Sequence, residues 1–123
     1  MKEELIKKLV KIQLQWRFLH WQTFGDAKHR TYGEIYEGLD GLIDEFTEVM
    51  MGKYGRPTFE PEFGLMFQDI SSLSMQNFLD GITEFFVGMS EQLDSKYDTD
   101  LLNLRDEMLA LINKSKYLLT LKH

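Results

Sequence analysis

The chain has 123 residues, no cysteine, 43% hydrophobic and 28% charged residues, and a formal net charge of −6. That length supports one domain with a real core and not two; the missing cysteine excludes a disulfide scaffold and thiolate chemistry. There is no apolar run long enough for a membrane span and no secretory-signal pattern at the N-terminus, so a cytoplasmic location is expected; the acidic balance disfavours nucleic acid, whose phosphates need clustered cations, and suits a divalent cation.

Four helical segments are read in chain order. The first spans about 3–23, with Leu5, Leu9, Ile12, Trp16 and Leu19 at alternating four and three spacing, the seam of a bundle helix. Lys2, Lys7, Lys8 and Lys11 form a small basic group, but they fall inside this helix and make no flexible tail. Binding to double-stranded DNA is therefore expected to be weak and lost at moderate salt. The second segment spans about 29–52, with Tyr32, Ile35, Leu39, Leu42, Phe46 and Val49 as its apolar face. The third spans about 75–93, with Ser74 as N-cap. The fourth spans about 100–121, capped by Asp98 or Thr99. Trp16 and Tyr36 read as core.

Between the second and third segments lies GKYGRPTFEPEFGLMFQDISSLS, which holds both prolines, Pro57 and Pro61. Such a connection is long for a bundle loop, and Leu65 to Ile70 could make a short helix within it. No segment alternates as a strand. The expected fold is a single all-α domain over residues 1–123, a ferritin-like four-helix bundle with a long crossover between helices two and three.

The chemistry concentrates in His20, His29, Asp44 and Glu48. Asp44 and Glu48 are four apart, so a helix puts them one turn apart on one face. His20 and His29 flank a short Gly–Asp turn and can meet where two helices join. His29 precedes Asp44 by fifteen residues, roughly 22 Å along a helix, whereas metal–ligand bonds are about 2.0–2.2 Å. If the four form one site, one subunit supplies the histidines and another the carboxylates. Each also has an ordinary reading: a hydrogen-bonded core histidine, a residue of a helix's first turn, a solvated pair of acids. Gly33, Gly38 and Gly41 argue against that reading. Each costs about 1 kcal/mol relative to Ala inside a helix, and close approach of another helix gives a reason for them. Gly38 and Gly41 lie beside the Asp44 face, so that face is expected to meet another subunit.

His20-Trp21, Gly25, His29, Tyr36, Asp44 and Glu48, followed by Gly52 to Pro57 (GKYGRP), resemble the ferroxidase signature of the Dps (mini-ferritin) family over about residues 14–57. The resemblance implies oxidation of Fe(II) by hydrogen peroxide or dioxygen at a site between subunits, with His20, His29, Asp44 and Glu48 as both ligands and catalytic residues, for iron storage and detoxification. It implies a homo-oligomer with a twofold dimer as its minimal unit, and a crossover helix packed at that twofold. Trp21 resembles the family's aromatic near the centre, which intercepts radicals; it reads equally well as a packing aromatic. The mixed imidazole–carboxylate set suits Fe(II), and also Zn or Mn.

The chain departs from the family in three ways. Gly33 stands where many members carry Asp or Glu, so one iron per site is expected rather than two, unless Glu34, Asp40 or water serves the second. Gly33→Asp is then expected to raise occupancy of that second position. The loop between the histidines is about three residues shorter than in typical members, as the family's pattern implies. The third and fourth helices are shorter too, which leaves open a closed dodecameric cage, a dimer or a smaller assembly. A second reading, from another class, is a ferritin-like structural or interaction dimer with a vestigial or zinc-binding site and no ferroxidase activity.

Overall fold

The computed structural model describes residues 2–121; of the lysine group near the N-terminus, the side chain of Lys2 lies outside what is described. The described residues form four helices, α1 (Lys2–Gln22), α2 (Asp26–Tyr54), α3 (Met75–Gln92) and α4 (Thr99–Leu118), and no strand. The main packing runs from α1 to α2, from α2 to α4 and from α4 to α3. Trp16, fully buried on α1, lies 5.7 Å from the Tyr32 ring of α2 and 4.9 Å from the Phe78 ring of α3, which closes the bundle on its remaining side.

Local chemistry sets the helix ends. α2 stops at Gly55, whose φ of 87° places it in the left-handed region that glycine adopts without strain, and whose N–H bonds back to the Met51 carbonyl. Ser74 caps α3 as expected, accepting from Asn77 N at 3.3 Å. Asp98 occupies the cap position of α4 but does not cap it. Its carboxylate, 1% exposed, instead accepts from Asp94 N at 2.8 Å and from the Tyr54 hydroxyl at 2.5 Å. The α3–α4 turn is thereby tied to the end of α2. Lys53 adds its ammonium, bonded to the Tyr97 carbonyl at 2.6 Å and 3.2 Å from Asp100.

Two sequence expectations need correction here. The buried face of α2 is Tyr32, Ile35, Leu39, Ile43, Phe46 and Met50; Leu42 and Val49 are only partly covered. The seam is thus rotated by about one position in the second half of the helix, so that Ile43 and Met50 face the core.

The second correction concerns Leu65 to Ile70, which form no helix: the linker 55–74 is irregular, with a turn at 70–72. Side chains of α1 take up its backbone groups. Gln15 both donates to the Gln68 carbonyl and accepts from the Gln68 N–H, each at 2.9 Å. Seven residues on, Gln22 accepts from Ile70 N at 3.0 Å and donates to the Asp69 carboxylate at 2.7 Å. Backbone groups satisfied in this way have no need of a helix. Gln15 is 4% exposed, so its end of the clasp is buried, while Gln68 and Asp69 lie at the surface.

Candidate functional site

The α1–α2 corner is built by its two histidines. α1 ends with orphan carbonyls, as every helix does, and the turn Thr23–Gly25 has no side-chain cap for α2. The His29 ring donates its Nδ1–H to the His20 carbonyl at 2.7 Å, and the His20 ring donates its Nδ1–H to the His29 carbonyl at 2.5 Å. The rings stack with centroids 3.8 Å apart and planes 17° apart. A carbonyl oxygen can only accept, so both Nδ1 atoms carry protons. In the neutral rings both Nε2 atoms then carry lone pairs. That is the tautomer of a metal-binding histidine oriented by a backbone carbonyl.

Gly33 makes this packing possible. A Cβ at residue 33 would lie 2.9 Å from both Nδ1 and Cε1 of His20. The glycine one helical turn after His29 is thus the seat of the His20 ring. A carboxylate at that position has no room while the ring stays. The same test corrects the reading of Gly38. A Cβ there would come 2.8 Å from Leu111 Cδ2 of α4, so Gly38 serves packing within the chain. At Gly41 an added Cβ would meet no neighbouring group within 4 Å, and the position is exposed.

Asp44 and Glu48 are exposed on α2, one turn apart. They belong to an acidic outer face with Glu34, Glu37, Asp40 and Glu45. Asp40 is engaged, accepting from the buried Gln13 amide at 2.7 Å. α2 runs unbroken from Asp26 to Tyr54, so the separation of His29 from Asp44 is about 22 Å. Among the described residues no group of three or more His, Asp or Glu side chains is close enough to share a metal ion. A single chain brings His20 and His29 together, and Asp44 beside Glu48, at two separate places.

Trp21, next to His20, is 62% exposed, with the Arg17 guanidinium 5.1 Å from its ring. The same guanidinium lies 4.6 Å from the Tyr36 ring, which is partly covered. Phe24, in the turn between the histidines, is fully exposed. The glutamine clasp, the Tyr54–Asp98 pair and the exposed Phe24 were not anticipated from sequence. The spacing of Gln15 and Gln22, two turns apart on one face, was a signal for the first; nothing local signalled the second.

The chain belongs to the family of unknown function DUF5856, whose model matches residues 20–119 and so includes all four candidate ligands. No curated protein and no solved structure matches it. Among the described residues, no helix is long and apolar enough to cross a membrane.

Proposed function

We propose that this protein is a Dps-like iron-binding protein that oxidises Fe(II) with peroxide or dioxygen at a site shared between two subunits. The observation that carries the reading is the reciprocal histidine pair, which presents two imidazoles in the ligand tautomer at one end of α2 while two exposed carboxylates wait about 22 Å along it. Fe(II) is the substrate. Two imidazole nitrogens and two carboxylates suit it, and carboxylates favour the ferric product by charge. Peroxide accepts two electrons and each Fe(II) gives one, so a site holding a single ion completes the reaction with a second Fe(II). The seating of His20 on Gly33 supports one ion per site.

The finer fold belongs to the same reading: a ferritin-like bundle in which the 55–74 linker crosses from α2 to α3. The packing order α1, α2, α4, α3 supports it, because chain neighbours α2 and α3 are not joined as a hairpin. The assembly is a homo-oligomer with a twofold dimer as its unit, acting in the cytoplasm without DNA. The crowding at Gly33 also favours a second reading, in which the same four residues hold a single zinc in a structural dimer.

Subunit mixing tests the shared site. One variant carries His20→Ala and His29→Ala, the other Asp44→Ala and Glu48→Ala. Neither homodimer can assemble the ligand set, but a mixed dimer contains one complete site. Random re-pairing gives about half mixed dimers, hence roughly a quarter of wild-type sites, set by the helical separation that forbids one chain from supplying all four ligands. Anaerobic Fe(II) titration followed by peroxide reads both binding and oxidation. Mixed dimers that form yet restore no binding, while the wild type binds iron, would exclude the shared site; binding of zinc with no oxidation of Fe(II) would select the second reading.

A further inference from the structure

Phe24 sits at the tip of the α1–α2 turn with its whole side chain in solvent. An exposed aromatic of this size carries a large apolar area, about 150–250 Å² when buried. Nothing within its own chain covers it. Elsewhere on the same molecule, a groove of about 370 Å³ lies between α1, the first half of the linker and α2. Its apolar walls are Ile6, Val10, Ile43, Phe59 and Phe63, and Asp40 and Asp44 stand at its rim. A cavity of about 150 Å³ takes up benzene, so the groove has room for a phenyl ring.

The charges match as well. The segment just after Phe24 carries Lys28 and Arg30 against Asp26, which pairs with Arg30 at 3.1 Å, and the groove lining carries Asp40 and Asp44 against Lys7, so each surface keeps a single excess charge of opposite sign. Knob and groove sit at two different places on one molecule, the arrangement a twofold, self-complementary interface requires. We infer that Phe24 of one subunit inserts into the Ile6–Val10–Ile43–Phe59–Phe63 groove of a second copy, anchoring a twofold dimer. The pairing of these two surfaces rests on the shared-site reading, since His29 lies five residues from Phe24 and Asp44 lines the groove. The anchor places the histidine corner of one subunit beside the carboxylates of the other.

The test uses metal-free protein in a chelator, so that association is measured apart from iron. Light scattering across a dilution series gives a dimer for the wild type. Phe24→Ser weakens dimerisation at least about thirtyfold, the scale of a truncated anchor residue, while helical circular dichroism is unchanged because the side chain packs on nothing. The chain has no cysteine, so a Phe24→Cys, Val10→Cys double variant reports the contact directly. Within one chain these positions are roughly 21 Å apart along the helix, beyond the reach of a disulfide, so any bond between them joins two chains. Mild oxidation is expected to give a covalent dimer by a 10–24 bond, identified by peptide mass, and none between 24 and 87 in a Phe24→Cys, Val87→Cys control. A wild type that stays monomeric, a Phe24→Ser dimer as tight as the wild type, or no 10–24 bond overturns the inference. If the bond forms and Fe(II) still does not bind, the anchor stands and the shared metal site alone fails.

Discussion

Gly33→Ala sets helix physics against packing, and the structure gives the size of each. In a helix interior the exchange gains about 1 kcal/mol. Against it, the new methyl carbon would sit 2.9 Å from two atoms of the His20 ring. The ring cannot swing aside freely, because it is stacked on His29 and bonded to the His29 carbonyl. Moving it forfeits that bond, about 0.5–1.5 kcal/mol net. The gain and the loss therefore roughly cancel in the wild-type background. In a His20→Ala background nothing opposes the methyl group, and Gly33→Ala should stabilise by the full helix term of about 1 kcal/mol. Urea unfolding of the four proteins measures the difference as a double-mutant cycle. A coupling of about 1 kcal/mol or more is expected between positions 20 and 33. If Gly33→Ala stabilises equally in both backgrounds, the glycine is not the seat of the imidazole. By the same reasoning Gly33→Asp displaces His20 and weakens Fe(II) binding at the shared site. The crowding of residue 33 by the His20 ring favours this outcome over the gain of a second iron ligand expected from sequence, and the iron stoichiometry of Gly33→Asp decides between them.

Two further outcomes concern the rest of the fold. Gln15→Leu leaves the Gln68 N–H and carbonyl without their partner; it should destabilise by about 2 kcal/mol and speed proteolysis within residues 55–74, and a loss under about 0.5 kcal/mol would show that water replaces the amide without penalty. The Tyr54 hydroxyl, donating to Asp98, has its pKa pushed up to about 12. A pKa raised in the folded state adds stability that is whole below the ordinary tyrosine value of about 10 and is lost as pH rises through the folded one. The wild type should therefore lose stability between about pH 10 and 12 more steeply than Tyr54→Phe; identical profiles for the two would remove the pair from the account.

Helices were legible because periodicity and capping residues are local. Ser74 announced α3 by its own side chain, and Leu5, Leu9, Trp16 and Leu19 mark the core face of α1 in the pattern and in the fold. What failed depended on partners far along the chain. Leu65 to Ile70 has the composition of a helix, yet its backbone is captured by glutamines about fifty residues earlier. Asp98 stands where a cap belongs, but a tyrosine from another helix offers a better use for its carboxylate. Gly33, Gly38 and Gly41 of α2 signalled close approach, and for Gly33 and Gly38 there is one, but it is made by His20 and Leu111 of the same chain. Spacing could show that His20 and His29 can meet; it could not show that each ring would bond to the other's backbone.

The glutamine clasp has a consequence for how this chain tolerates mutation. Gln15 reads only main-chain atoms of Gln68, so the clasp is blind to which side chain stands at that position. Substitutions there, short of proline, leave both bonds in place. Gln15 itself has no such latitude, because a single side chain must supply both a donor and an acceptor. Length is equally constrained: inserting one residue between Gly55 and Gln68 would shift the register and offer Gln15 the wrong peptide group. Position 68 can drift in composition while the linker's residue count is held fixed from a distance, by a helix that all of α2 separates from it in the chain.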